Sequence, residues 1–343
     1  GMLFSCTGQD IRHKFIDVSH QAVKSNYVPI SVGLRSQALK LRFVSPDTEG
    51  FFLKPTQTFE KVVQTFEQRF SRTLPKPILH QSRIGQTVSL IYSPFYVEDK
   101  LYDAVLNQPI SSSLPNDFDL DHMPGGAPDW RIRFISALCP HCGWDLAGKI
   151  DSLVLICKNC NSAWYPAGKT LKKLKFGKYP LESDDALYLP FWRIRADISE
   201  ITLNTYADLI KVANIPKVAQ SKWADIGFRF WSPAFKVRPK VFLRLSNNLT
   251  LTQPREKLST KLPLTKIHPI TLPVTEAIES LKINLASFMK PKTFLTDTLQ
   301  KIKISAKSFA LVYVPFLEKH HEFIQPDLQI AINKNLLALA SNL

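Results

Sequence analysis

The chain of 343 residues carries 44 Lys and Arg against 29 Asp and Glu, a formal charge of +15, with five cysteines and 45% hydrophobic residues. These proportions exclude a disordered tail, a collagen-like repeat and a disulfide-dense secreted mini-domain, and the length accommodates roughly two to three domains with cores of their own. The positive excess predicts either an acidic partner, such as nucleic acid, an anionic membrane surface or an acidic protein, or simply a well-solvated surface.

No window reaches the roughly 18 consecutive apolar residues that a membrane-spanning helix needs. Met2 to Cys6 has neither a basic n-region nor an apolar h-region, so the expectation is a cytoplasmic protein. Between Thr58 and Phe70 the residues Phe59, Val62, Val63, Phe66 and Phe70 recur at helical spacing and predict an amphipathic helix. A strand is expected through Leu90–Phe95. From Ser111 to Asp129 the sequence turns polar and rich in Gly, Pro and Asp. The reading is therefore an N-terminal domain over 1–115 and a linker over 116–129.

Four of the cysteines then fall into one arrangement. Cys139-Pro140-His141-Cys142-Gly143 is followed, after 14 residues between the pairs, by Cys157-Lys158-Asn159-Cys160. Each C-x-x-C lets two thiolates reach one ion from a tight turn, and two such turns complete the tetrahedral sulfur shell that Zn²⁺ prefers. Gly143 suits a knuckle, because a residue without Cβ lets backbone amides turn toward the sulfurs. Leu153–Ile156, Arg131–Ile135 and Ser162–Tyr165 read as strands around it. Two disulfides are disfavoured because nothing points to export. Iron stays open, since it takes the same four ligands. Cys6 stands outside the set.

On these residues the stretch 130–178 resembles a zinc ribbon of the transcription-factor and rubredoxin-like kind. The resemblance implies a closed structural site, with Cys139, Cys142, Cys157 and Cys160 as ligands and no open position for catalysis. A ribbon domain over 130–180 and a C-terminal α+β domain over 181–343 complete the expected organisation.

The local concentration of positive charge, Lys169 to Lys178, alternates with apolar residues and reads as a strand or short helix with one wet basic face. Lys169, Lys172, Lys173 and Lys175 are its candidate nucleic-acid contacts. Beyond it, Ala186–Ile194 has the length of a buried strand. Segment 253–273, with four prolines, is loop-like. A helix is expected from Thr275, as its cap, through Ile278, Leu281, Leu285 and Phe288.

An aromatic-x-Pro motif recurs at Tyr27–Ile30, Tyr92–Phe95, Tyr188–Phe191, Trp231–Phe235 and Tyr313–Phe316. It predicts a repeated way of entering a sheet, with proline at a strand's first residue or edge. A helix followed at similar distance by this motif occurs at both ends of the chain. The expected fold class is α+β, helix-on-sheet regions flanking a small four-cysteine zinc ribbon, with an internal duplication as one reading. The combination is similar to a group of uncharacterised bacterial proteins that carry a zinc ribbon, a resemblance that supplies architecture and no mechanism.

No catalytic constellation emerges. Ala167-Gly168-Lys169-Thr170 lacks the first glycine of a phosphate loop, Asp117/Asp119/Asp121 lacks the glycine and glutamate of a calcium loop, and His320-His321-Glu322 lacks the second histidine of a zincin helix. The aromatics Trp164, Tyr165, Phe176, Trp192, Trp223, Trp231 and Phe235 lie among arginines and lysines such as Lys175, Arg193, Arg195, Arg229 and Lys236. Bases could stack on them, though core packing is the favoured reading. The expected function is a non-enzymatic, zinc-binding scaffold for a protein partner. Nucleic-acid binding is the alternative, and an enzyme with a fold-assembled site the second alternative.

Overall fold

A computed structural model describes residues 2–8, 10–15, 44–84, 92–114, 116, 118–119, 122–127, 134–149, 151–181, 183, 185–217, 220–263 and 266–339. The Tyr27–Ile30 motif, Leu90–Ile91, Arg131–Arg133, Asp117 and Asp121 lie outside these residues. Of the described residues 22% are helical and 33% lie in sheets, so the fold is α+β.

The elements, in chain order, begin with β1 (Met2–Thr7), β2 (Ile11–Phe15), β3 (Phe52–Leu53), α1 (Phe59–Arg72) and β4 (Ile78–Ile84). Short strands follow, β5 (Phe95–Val97), β6 (Leu101–Asp103), β7 (Gln108–Pro109) and β8 (Gly125–Gly126). The cysteine region contributes β9 (Leu155–Cys157), β10 (Ser162–Ala167), β11 (Thr170–Leu174) and β12 (Phe176–Lys178). Then come β13 (Leu187–Ile198), α2 (Tyr206–Val212), β14 (Phe230–Pro233), α3 (Pro239–Thr252), α4 (Val274–Glu279), α5 (Leu281–Phe288) and α6 (Lys292–Thr298). The chain closes with β15 (Ile304–Lys319), β16 (Glu322–Gln325), β17 (Ile330–Asn333) and α7 (Lys334–Leu339).

The chain divides into two units. The first gathers 15–73 and 87–133. Its helix α1 starts where the sequence pattern places it, because the Thr58 hydroxyl accepts from the Lys61 amide and satisfies an orphan donor of the first turn. The meander β5-β6-β7 is locked by a stacked cross-strand pair, Tyr96 and Tyr102, with centroids 5.0 Å apart.

The second unit gathers 2–14, 74–86 and 134–343. Its largest sheet runs β14-β13-β15-β16-β17, with β12 added parallel to β15. Here two copies of the aromatic-x-Pro motif face each other. Tyr188 stands opposite Pro315, Leu189 opposite Val314 and Pro190 opposite Tyr313, so the two motifs are related by a local two-fold about the Leu189–Val314 pair. Both prolines sit inside long strands and not at strand starts. The geometry permits it, because the Tyr188 amide donates outward to Lys266 and the Pro190 carbonyl accepts from Ala234. Residues 188 and 190 thus turn their backbone groups away from β15, and the missing proline N–H breaks no bond of that ladder. Residues 188–192 and 311–316 are all buried, and Phe191 lies against Phe316 and edge-on to Phe235. The tryptophans Trp192, Trp223 and Trp231 and the ring of Phe235 are likewise core.

The expected helix from Thr275 is two helices, α4 and α5, meeting at Ser280, whose hydroxyl bonds back to the Ala277 carbonyl. Such back-bonding competes with the helical ladder and bends it. Pro273, not Thr275, occupies the cap position, with no side-chain cap bond.

Two outcomes follow from this packing. Phe191→Ala should lower unfolding stability by about 3–5 kcal/mol in denaturant titrations, since its fully buried ring leaves a cavity between two aromatic partners. Burial, and then the charge of Lys282, hold the His80 imidazole down to about 4. The unfolded chain takes up this proton near pH 6.5, so the stability tied to the neutral ring is present above that pH and lost as pH falls toward 4. The denaturation midpoint should therefore drop less steeply over this interval in His80→Gln than in the parent.

Candidate metal centre

Four cysteine side chains converge in the second unit. The sulfurs of Cys139, Cys142, Cys157 and Cys160 all lie within 4.8 Å of one another. Cys139 and Cys160 are 3.6 Å apart, and Cys142 and Cys157 3.5 Å. A disulfide requires about 2.05 Å, and the thiols are free. A tetrahedron with metal–sulfur bonds of about 2.3 Å has edges of about 3.8 Å, so the spacing fits one shared ion.

Two short turns deliver these sulfurs. In the first, the Cys139 amide donates to the Trp144 carbonyl and the Gly143 amide to the Cys139 carbonyl, closing a hairpin over the pair. Gly143 sits at φ +72, the left-handed region that a side chain disfavours. The second turn leads from β9 into β10 and uses Asn161 at φ +51 in the equivalent place, directly after Cys160. Asn161 also donates through Nδ2 to the Thr260 carbonyl and accepts through Oδ1 from the Leu262 amide, both at 2.7 Å. The three-stranded sheet β11-β10-β9 carries the second pair, and its register places Ser162 opposite Cys157. Cys139, Cys157 and Trp164 form a small core, with Leu146 and Leu171 packed on it.

The electrostatics of the cluster are those of an anion hole. Burial alone would raise the Cys139 thiol, but backbone amides of His141 and Cys142 donate to its sulfur and bring it down to about 6. The Trp144 amide, and then Asn159 Nδ2 at 3.6 Å, hold Cys142 below the ordinary thiol range. At Cys160 the Ser162 hydroxyl, 3.0 Å away, favours the thiolate, yet burial and the other three sulfurs outweigh it and push the thiol up to about 12. The knuckle amides thus favour thiolate at the first pair, while the repulsion of neighbouring sulfurs keeps the last proton in place. A divalent cation removes that conflict. Cys157 is fully buried, whereas Cys142 is exposed, so the cluster opens toward solvent on the Cys142 side.

Sequence reasoning missed three contributors. Asn161 looks like any turn residue until its positive φ is seen. Ser162 is a hub, with its hydroxyl 3.8 Å from Cys139 and 3.0 Å from Cys160 while it accepts from Trp164 Nε1 at 2.8 Å. Trp164 closes the core from below. The lysine stretch forms β11 and β12; in β11 Lys172 stands opposite Tyr165 and Lys173 opposite Trp164, and Lys169, Lys172, Lys173 and Lys175 are all exposed. His122 lies 2.6 Å from Asp119, an exposed pair. No helix among the described residues is long and apolar enough to cross a membrane.

The second knuckle offers a direct check. Asn161→Val places a β-branched residue at a left-handed position, a cost of roughly 1–2 kcal/mol, and should weaken metal affinity in competition with a chromogenic chelator. Asn161→Gly keeps the backbone angle and should retain the parent's metal affinity, while the Leu262 amide exchanges faster with solvent.

Comparison with protein-family models, with curated proteins and with solved structures gave no match to this chain. What stands on its own geometry is a four-cysteine cluster compatible with zinc.

Proposed function

We propose that Cys139, Cys142, Cys157 and Cys160 hold a structural Zn²⁺ in a zinc ribbon, and that the chain acts as a non-enzymatic scaffold for a protein partner. The observation that carries this reading is the mutual approach of the four sulfurs to within 4.8 Å. An all-sulfur set fills a tetrahedral ion and leaves it no position for substrate, so the ion supplies folding energy and not chemistry. The scaffold reading is supported by the first hairpin, where Leu138 and Trp144 are 51% and 60% exposed beside the buried Cys139. A tryptophan held out on a metal-braced turn has the composition of an interface anchor.

Elemental analysis of the purified full chain should give one zinc per chain. Chelation should speed amide exchange across 139–164 while the β13–β15 ladder keeps its protection. Iron in place of zinc, no metal at all, or unchanged exchange on chelation would each overturn the reading of a structural zinc. For the scaffold, Trp144→Ala should keep its zinc but lose a stoichiometric protein that the parent retains from native extract. The reading fails if parent and variant recover the same proteins.

A further inference from the structure

A second cluster of like charge lies far along the sequence from the cysteines. On β13, Arg193 and Arg195 are two apart and share one face of the sheet. The β13–β14 ladder sets Arg193 opposite Trp231 and ends at the pair Ile194–Phe230, so Arg195 follows the last β14-paired residue of β13 and Arg229 directly precedes β14. Arg193 and Arg229 are half-buried and Arg195 is exposed. Burial first, and then the charges of Arg195 and Arg193, hold the Arg229 guanidinium below its ordinary range. Among the described residues no carboxylate comes within ion-pair distance of any of the three. The nearest acid along β13, Asp197, is taken by Lys307 at 3.0 Å.

The cluster is held in place rather than splayed. Gln253, buried at the end of α3, accepts from the Arg229 amide at 3.1 Å and donates to the Arg229 carbonyl at 2.5 Å. The Arg229 guanidinium folds back over Gly227 and donates to the Phe228 carbonyl, and a Cβ at Gly227 would lie only 3.0 Å from it. Across the other edge of β13, the residues opposite Arg193 and Arg195 are Ala310 and Ser308, too small to cover the guanidiniums.

We propose that Arg193, Arg195 and Arg229 form a binding site for a compact phosphate-bearing anion at the end of the β13–β14 ladder. Partly desolvated charges of one sign are costly without a counter-charge. A fork of N–H donors matches phosphate oxygens two at a time, and three forks at one end of the ladder suit a dianion with several oxygens better than a single carboxylate. The aromatic neighbours argue for a small anion over single-stranded nucleic acid. Trp192, Phe230 and Trp231 are 3%, 0% and 1% exposed, so the site offers no open ring on which bases could stack. This site stands apart from the zinc reading, since it uses none of its residues.

Equilibrium dialysis of radiolabelled inorganic phosphate against the zinc-loaded full chain, in low-salt buffer, tests the proposal. Saturable uptake of one phosphate per chain is expected. Arg195→Gln, at an exposed position that folding does not depend on, should weaken it about tenfold or more. A Lys172→Gln, Lys173→Gln double variant should bind as the parent does. Absence of saturable uptake overturns the proposal, as does equal uptake by Arg195→Gln. A thymidine 12-mer that displaces phosphate and binds over tenfold tighter would assign the arginines to a nucleic-acid backbone and overturn the compact-anion site.

Discussion

Four thiols brought within a few ångströms cannot all become thiolates unless something positive joins them. That constraint organises the middle of this chain. The sulfurs come from two turns, and each turn needs a residue in the left-handed region directly after its second cysteine, Gly143 in one and Asn161 in the other. The amides freed by the turn geometry then point at sulfur, which favours charge on Cys139 and Cys142, while the crowding of the same charges holds the proton on Cys160. The core beneath consists of little more than Cys139, Cys157 and Trp164. So small an apolar cluster cannot order its surroundings by burial alone, which is why a bound ion would dominate the local stability.

The cysteine-bearing sheet is also tied to the larger sheet's surroundings by backbone bonds. Asn161 bonds to Thr260 and Leu262, the Leu153 amide donates to the Ile270 carbonyl, and Lys178 and Ser259 exchange bonds in both directions. The proline-rich segment 253–273 thus works as a strap. It accepts or donates where each sheet has an unused edge, at Ser259 for Lys178 and at Lys266 and His268 for Tyr188. Its prolines look like loop signals in the sequence, and they are, but the loop is a connector and not a spacer.

The sequence made some of this legible and hid the rest for identifiable reasons. The cysteines could be read because thiolates at C-x-x-C spacing have few other uses, and α1 because its apolar period is long and its cap is a threonine. The junction of α4 and α5 was hidden because the apolar period continues across Ser280, and only the serine's bond to Ala277 interrupts it. The pairing of β1 with β4 was hidden because strand pairing at long range leaves no local mark. Asn161 was hidden because asparagine suits many turns. The aromatic-x-Pro motif gave the right elements: Pro94 directly precedes β5 and Pro233 lies on the edge strand β14, whereas Pro190 and Pro315 are interior to β13 and β15, tolerated because their backbone groups face away from the ladder between the two motifs.

The arginine cluster illustrates why the net charge of +15 was a poor guide by itself. The conspicuous basic run, Lys169 to Lys178, is divided between β11 and β12, strands of two different sheets, and adjacent lysines such as Lys172 and Lys173 alternate along β11. Arg193, Arg195 and Arg229 are inconspicuous in sequence, two on one strand and one 34 residues beyond the second, yet the pairing of β13 with β14 brings Arg229 to the end of the ladder beside which Arg195 lies. Proximity along the chain and proximity in space are set by different rules. In a strand, neighbours are separated and next-neighbours brought together, and the ladder decides which distant residue joins them. The proposed anion site therefore draws on strand alternation within β13 and on the chain's return at β14, without a run of charge to announce it.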